Sequence, residues 1–420
     1  MKFPGTKISI WCGVSVAVIA AIVHIGVLGH GFLYHWDDQW VVINRYTDAG
    51  LTWDNLVAVL TTFHRGQYAP VNELSYMTLH TFFGYDAPVF HLLSLLWHTA
   101  NAVCVYVFIR LLLQAIGGMS GRKVLATSWL TAILFAVNPV TVEPVSWVSA
   151  SKILNYSFFY LLCLTAYMRY IKTPTTGRYI LVLLLFILAF GCKEQAVVIP
   201  LTLLLIDYVT SRRGKWIFFF VEKIPFFLLS AFFSVLTVIS QGHSAIMPEY
   251  GLGFRIIFGA FALCEYAFKS LLPVNLCYVY PFPCQPGEAM PLFMYAYPLF
   301  VAIAAYVLYQ VRNNKAVVFG VLFFVINLLT ALHIVSMSRY VVTADRYVYL
   351  SVPGMMLIVA WAIVKYGRRF KIIIPAAVLY AGYFIGYTVV YTREWRDSDT
   401  LKSHVREILD ERKTGEVNQQ

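Results

Sequence analysis

Two adjacent carboxylates, Asp37 and Asp38, follow the first long apolar segment of the chain. They lie between Trp36 and Trp40, where that apolar segment ends. Charge repulsion and partial desolvation raise the pKa of one member of such a pair, which suits a general base. Aromatic side chains are ordinary anchors at a membrane interface, so the tryptophans need no catalytic role. On the dipeptide alone, a solvated acidic turn is the simpler interpretation.

A second set of side chains combines carboxylates with cations beside apolar segments. Its members are Glu143, Lys152, Lys193, Glu194, Lys269, Asp345 and Arg346. The pairs Glu143–Lys152 and Lys193–Glu194 are either simple ion pairs or the lining of a cavity in which an ammonium meets a phosphate. Four cations at one membrane face favour a pocket for an anionic lipid headgroup.

Metal, nucleotide and redox chemistries have little support in the sequence. His91 and His98 share a predicted helical face, and one of them could bind a metal with His35, although helix packing explains them more simply. No P-loop, GxGxxG, GxSxG, HExxH or CxxC pattern occurs, which disfavours nucleotide-driven transport and the common hydrolases. Cys277 and Cys284 lie in a proline-rich segment and could pair in an oxidising compartment.

Membrane helices must position these residues. A soluble domain carries about 25% charged residues, whereas this chain has 13% charged and 60% hydrophobic residues. Apolar stretches of about 20 residues, the length that crosses a bilayer, recur throughout. We therefore predict an all-α polytopic membrane protein with about eleven spans. The predicted spans are 8–30, 88–112, 124–138, 153–171, 178–192, 195–210, 217–240, 291–311, 316–335, 346–364 and 372–391.

The net charge of +11 orients the protein and does not indicate nucleic-acid binding, because the basic residues alternate with the acidic ones between spans. The predicted inner segments contain Lys2, Lys7, Arg122, Lys123, Lys172, Arg178, Arg212, Arg213, Lys215, Arg312, Lys315, Lys365, Arg368, Arg369 and Lys371. The predicted outer segments contain Asp37, Asp38, Asp48, Asp54, Glu73, Asp86, Glu143, Glu194, Glu249 and Glu288. This pattern predicts an inner N-terminus and an outer C-terminus.

The predicted organisation is a transmembrane domain, 1–391, followed by a polar outer tail, 392–420, with one short helix and then disorder. Three outer segments are long or polar: 31–87, 138–152 and 241–290. Within the last, 252–276 is apolar but contains Glu265 and Lys269, which are costly at the bilayer centre. We predict an interfacial or re-entrant helix there. Any chemistry should therefore face outward.

Taken together, these features resemble the GT-C superfamily over nearly the whole chain, in particular the transmembrane-and-TPR protein O-mannosyltransferases and their bacterial relatives. The order and spacing of the motifs are specific to the superfamily and less so to a substrate. The matching motifs are Trp36-Asp37-Asp38 with Asn44, Gly50-Leu51-Thr52-Trp53-Asp54-Asn55, Tyr68-Ala69-Pro70-Val71, Phe90-His91-Leu92-Leu93 with His98 and Asn101, Asn138-Pro139 with Glu143, Trp147-Val148-Ser149 and Lys152, Lys193-Glu194 through Asp207-Tyr208, Lys269 with Pro273-Val274-Asn275-Leu276 and Tyr280-Pro281, and Ala344-Asp345-Arg346-Tyr347.

The resemblance implies an inverting glycosyltransferase that takes a sugar, mannose by first choice, from a polyprenyl phosphate. It implies Asp37, or else Asp38, as the base on the acceptor hydroxyl, and an outward active site in a bacterial plasma membrane. Phosphate charge would be stabilised by fixed cations, so a divalent metal is not expected. These cations would be Lys152, Lys193, Lys269 and Arg346, with Glu143 orienting Lys152 or a sugar hydroxyl and Tyr280 helping to enclose the headgroup.

Three departures from the family pattern leave the acceptor open. Asn138 replaces a usual histidine, Lys152 lies at or beside a position often filled by arginine, and the sequence stops where a TPR array would begin. A protein Ser/Thr hydroxyl is the first choice of acceptor. A lipid or glycan hydroxyl, as in the aminoarabinose transferases, is the alternative. A transporter or flippase, or an inactive scaffold, would be a different class.

Overall fold

The structure is a computed structural model that describes residues 6–241, 250–333 and 341–417. Within these ranges the chain is helical, with two isolated β-bridges, His64–Gln67 and Tyr280–Thr343, so the predicted all-α class is confirmed. The predicted inner Lys2, the predicted outer Glu249 and the end of predicted span 316–335 lie outside the described residues.

The α-helices are numbered in chain order. The first ten are α1 (Thr6–His24), α2 (Asp38–Val41), α3 (Arg45–Ala49), α4 (Trp53–Thr61), α5 (Pro70–Phe83), α6 (Ala87–Ile116), α7 (Gly121–Ala136), α8 (Val142–Ser146), α9 (Ser151–Lys172) and α10 (Thr176–Cys192). The others are α11 (Ile199–Val209), α12 (Trp216–Gln241), α13 (Leu252–Leu271), α14 (Ala296–Gln310), α15 (Lys315–Leu328), α16 (Asp345–Val348), α17 (Val352–Tyr366), α18 (Ile373–Glu394) and α19 (Ser398–Val417).

Several helices are long and apolar enough to cross a membrane, as expected for an integral membrane protein. In the described ranges they are Lys7–Gly29, Ala87–Ile116, Trp216–Ser240, Leu292–Gln310 and Ile373–Glu394. A sixth crossing results if Gly121–Ala136 and Pro139–Ser146, bent by 55° at their junction, form one span. The protein is therefore an all-α membrane protein with five or six candidate spans.

The remaining predicted spans are also helical, but they are shorter or more polar. Apolar helices of 10–17 residues are Thr176–Cys192, Lys315–Ala331 and Val352–Tyr366. α11 has only 11 residues, a length of about 16 Å at 1.5 Å per residue. The total of eleven crossings thus stays a prediction.

Two predicted spans are wrong in their continuity. The predicted span 346–364 is broken, because α16 ends at Val348 and α17 begins at Val352, with Pro353 in its first turn. The predicted span 195–210 likewise starts as a 3-10 turn, Glu194–Val198, before α11 and Pro200. Proline is tolerated in the first turn of a helix but not in its interior, so the helix restarts at each proline. Both breaks present charged residues at helix ends.

The bundle beneath these ends is packed closely and contains buried hydrogen bonds. A Cβ on Gly320 of α15 would lie 2.6 Å from the carbonyl oxygen of Gly354 in α17, so these two helices meet through small residues. One ring nitrogen of His98 contacts the Tyr349 hydroxyl at 2.9 Å and the other contacts the Ala136 carbonyl at 3.0 Å. His98 therefore joins helices, as the packing interpretation predicted.

The C-terminal segment is integrated with the bundle. Trp395 is buried between Trp147 and Tyr278, with ring centroids at 6.3 and 6.1 Å. α19 runs from Ser398 to Val417, a longer helix than the short one predicted. Its apolar face, which includes Leu401 and Val405, is buried. The polar tail therefore packs against the wall of the site described next.

Candidate functional site

Asp37 is the accessible member of the acidic pair. Its backbone carbonyl accepts from the amides of Trp40 and Val41 at 3.0 and 2.7 Å, which starts α2. Its side-chain Oδ1 accepts a hydrogen bond from the Trp40 indole Nε1 at 3.2 Å. The carboxylate is half-buried, so it keeps oxygen lone pairs available to an incoming group.

Asp38 is the structural member of the pair and is fully buried. Its Oδ2 accepts from the Leu33 amide at 2.8 Å, and its Oδ1 accepts from the Ser149 amide at 2.9 Å and from the Ser149 hydroxyl. Burial raises the pKa of Asp38 to about 6, the bonds from Ser149 and Leu33 lower it, and Asp37 adds a smaller increase. Asp38 thus ties α2 to the turn before α9 and holds Asp37 in place.

Lys152 is the cation best placed to meet an anion near Asp37. Its ammonium donates to Gln67 Oε1 at 2.8 Å and forms no ion pair with any described residue. The charges of Lys193, Glu194 and Asp37 all act on it. An ammonium that is held by a neutral amide, with no carboxylate in direct contact, can still receive an anion, which suits phosphate binding.

Lys193 and Glu194 form the predicted neighbouring ion pair, with Nζ and Oε1 3.2 Å apart. Lys193 also lies 5.8 Å from the ring centre of Tyr347. Burial raises the pKa of Glu194, but Lys193 and Lys152 outweigh it and leave the net pKa below its ordinary value. Glu194 therefore stays ionised and compensates Lys193 more than Lys152.

Glu143 pairs with Arg346, so the simple Glu143–Lys152 ion pair, one of the two interpretations of these residues, is wrong. Arg346 Nη1 lies 2.5 Å from Glu143 Oε1, and the Arg346 amide donates to Oε2 at 2.9 Å. The two residues are 203 positions apart in the sequence, and the fold brings them together. Aromatic rings surround the guanidinium at 4.9–5.6 Å, namely Trp147, Tyr278 and Tyr347.

The other predicted ligands, Lys269, Asp345 and Tyr280, form a closed network behind Arg346. Lys269 is buried and lies 3.9 Å from Asp345 and 3.3 Å from Glu265. The Tyr280 hydroxyl donates to Asp345 Oδ2 at 3.1 Å. Burial raises the pKa of Asp345 to about 7, and Lys269 lowers it. These side chains therefore support the wall of the site from within the bundle.

Asn138 has a local structural role at the bend between α7 and α8. Its Oδ1 accepts from the Val140 amide at 3.2 Å, and its Nδ2 donates to the Ser270 carbonyl at 2.9 Å. It therefore caps the 3-10 turn Pro139–Thr141 and connects it to α13. The Asn138 amide both accepts and donates here, so these two contacts do not need the imidazole ring of a histidine.

The arrangement brings together a half-buried carboxylate, two lysines and an aromatic wall at one end of an apolar bundle. Gln67 and Tyr278 are site residues that the sequence did not single out, and Glu73 and Ser149 were named there without a role in the site. Their partners are distant in the chain, so no local spacing signals them. No group of three His, Cys, Asp or Glu side chains suited to a metal ion occurs in the described ranges, and metal independence stays a prediction.

Comparison with known proteins leaves the site to be interpreted from its own geometry. Neither a scan of protein-family models nor a search of curated proteins found a match. Chemically, an ionised carboxylate can accept a proton while nearby ammonium groups stabilise a departing anion. The site is thus suited to group transfer from an anionic leaving group.

Proposed function

We propose that the protein is an inverting GT-C-type glycosyltransferase that moves a sugar, with mannose as first choice, from a polyprenyl phosphate to a hydroxyl group. The observation that supports this best is the half-buried Asp37 carboxylate within the electrostatic reach of Lys152, whose ammonium has no described ion-pair partner. In this proposal the polyprenyl chain stays in the bilayer beside the apolar bundle and brings its phosphate to this end.

In the proposed reaction, Asp37 takes the proton of the acceptor hydroxyl. The acceptor oxygen forms a bond to the anomeric carbon as the bond from that carbon to the phosphate oxygen breaks. The electron pair leaves with the polyprenyl phosphate, and the anomeric configuration inverts. Lys152 and Lys193 stabilise the negative charge that develops on the phosphate. Asp38 holds α2, and with it Asp37, in position.

Arg346 has a supporting part in this proposal. Its guanidinium is already bonded to Glu143, so it positions the aromatic wall and adds positive potential without being the first ligand of the phosphate. The Lys269–Asp345–Tyr280 network holds the segment that carries Arg346. We propose no resident cofactor.

The proposed membrane topology is the one predicted from the alternation of basic and acidic segments between spans. About eleven spans would place the N-terminus inside and the C-terminus outside a bacterial plasma membrane. The site would then face the exterior or periplasm, where polyprenyl-linked sugars and exported proteins meet. A reporter fused after residue 35 or after residue 395 should be extracytoplasmic, and a cytoplasmic signal at either position would contradict this orientation.

The first-choice acceptor is a protein Ser/Thr hydroxyl, and the second is a lipid or glycan hydroxyl. One feature favours the second: Trp53, Val57 and Leu60 form an exposed apolar stripe on α4, close to the site. Such a stripe suits the membrane interface, where lipid headgroups lie. Glycoprotein and lipid profiles of a deletion strain distinguish the two, because only the true acceptor class loses its sugar.

A further inference from the structure

A small pocket lies on the segment between α2 and α5, lined by Trp40, whose indole donates to Asp37. Its walls include Trp40, Tyr46, His64, Gln67 and Glu73. The cavity volume is about 20 Å³, which holds one water- or hydroxyl-sized group. The pocket is therefore too small for a whole sugar ring but fits a single substituent of one.

Glu73 supplies an acceptor with unused capacity in this pocket. Its Oε2 accepts from Asn44 Nδ2 at 3.2 Å, and no described residue donates to Oε1. Burial raises the pKa of Glu73 to about 7, whereas Asn44 and Lys152 lower it. The side chain is half-buried, so the oxygen without a protein donor is open to water or to a ligand.

The pocket shares its walls with the proposed catalytic residues. Trp40 donates its indole N–H to Asp37, and its backbone carbonyl lies 3.0 Å from His64 Nε2. Gln67 accepts the hydrogen bond of Lys152. A group in the pocket is thus one residue away from both the base and the phosphate-binding cation.

A tight turn fixes the rim of the pocket. His64 and Gln67 are bridged, and the two residues between them both have positive φ, 46° at Arg65 and 75° at Gly66. This geometry is typical of a type I′ turn, and it is uncommon for arginine. The Arg65 guanidinium lies 5.6 Å from the ring centre of Trp40. The turn therefore positions Gln67 and also places the Arg65 side chain against Trp40.

We propose that this pocket receives one hydroxyl group of the donor sugar, with Glu73 accepting its hydrogen bond and Trp40 packing against the apolar face of the ring. The inference rests on the proposed function and adds a sugar-recognition subsite to it. A hydroxyl matches the cavity in size, donates to a carboxylate, and remains attached to a ring that an indole can cover. Glu73 is then a residue that determines sugar specificity.

The test compares polyprenyl-phosphate mannose with its monodeoxy analogues in the wild type and in Glu73→Gln. One deoxy position should reduce wild-type kcat/KM by about 10–100-fold, the loss of one hydrogen bond to a charged group. Glu73→Gln should show a similar loss with the complete donor and no further loss with that deoxy donor. Glu407→Gln, an exposed change on α19, should behave as the wild type with every donor.

Other results would overturn the subsite. One such result is that Glu73→Gln and each deoxy position lower kcat/KM independently, so that the two losses multiply at every position. Another is that the loss in Glu73→Gln depends on which acceptor is used and not on which donor. The wild-type deoxy series needs no variant, and Glu73→Asp, which keeps the charge, should recover part of the rate if Gln at this position unfolds the protein.

A wild type without any transfer would refute the proposed function and still leave the subsite testable. Saturation-transfer NMR with methyl α-mannoside and its deoxy forms then measures sugar binding directly. A signal that depends on one hydroxyl and is lost in Glu73→Gln supports the subsite. No saccharide signal, or an equal signal in the variant, refutes it.

Discussion

Replacing Asp37 by asparagine should remove most of the activity without destabilising the protein. The only side-chain hydrogen bond at Asp37 within the described residues comes from Trp40 Nε1, and an asparagine carbonyl accepts it equally. The free energy of unfolding should therefore change by less than about 0.5 kcal/mol. Loss of a general base lowers kcat by about 10²–10⁴-fold, or roughly 2.7–5.5 kcal/mol in the barrier.

The matched change is Asp38→Ala, which should lower both stability and activity. It leaves the buried amides of Leu33 and Ser149 without their acceptor. Each unsatisfied donor costs about 1–3 kcal/mol, so the free energy of unfolding should fall by about 2–6 kcal/mol.

The assay for this contrast combines sugar transfer with thermal unfolding in the same detergent. Full activity of Asp37→Asn would refute the assignment of Asp37 as the base. A large fall in its melting temperature would refute the claim that Asp37 is not needed for stability. An Asp38→Ala protein as stable as the wild type would refute the role given to Asp38.

Three further outcomes follow from the same geometry. Lys152→Ala should raise the KM for the donor at least about tenfold, whereas Lys402→Ala on α19 should not. Glu143→Gln should lower stability by about 3–5 kcal/mol in thermal or chemical unfolding, because it leaves the partly buried Arg346 unpaired. Because burial raises the pKa of Asp38 from 3.8 to about 6, its protonated form favours the folded state. That stabilisation is complete below pH about 4 and is lost as pH rises through about 6, so Asp38→Asn should flatten this part of the stability–pH profile.

Each of these outcomes has a direct contradiction. An unchanged KM for the donor in Lys152→Ala would show that Lys152 does not bind the donor phosphate. Equal stability of Glu143→Gln and wild type would show that the ion pair contributes nothing, and Glu143→Gln combined with Arg346→Met measures the coupling by double-mutant cycle. A stability–pH profile identical in Asp38→Asn and the wild type would remove Asp38 as the titrating group.

Local chemistry made part of the fold and site predictable. Long apolar runs predicted helices, and the structure has a helix in each of those segments. Adjacent Lys193 and Glu194 do form an ion pair. The breaks before α11 and α17 were also visible in principle, since Pro200 and Pro353 each follow a short charged stretch, but hydropathy averages over such turns.

Long-range pairing was beyond the reach of the sequence. Glu143 has Lys152 nearby in the chain, yet Arg346, 203 residues away, takes both of its oxygens. Likewise, the residue types alone do not distinguish Asp37 from Asp38. In the fold, the Leu33 amide and Ser149, 111 residues away, donate to Asp38. The choice of base therefore depends on the packing of the first segment against the turn before α9.

The most direct test of the central claim is single-turnover transfer from a polyprenyl-phosphate sugar by the purified protein. The wild type should release polyprenyl phosphate and form a product of inverted anomeric configuration, and Asp37→Asn should form neither. Full transfer by Asp37→Asn would contradict the assigned base. Uptake of a labelled sugar lipid without any covalent transfer would contradict the glycosyltransferase itself.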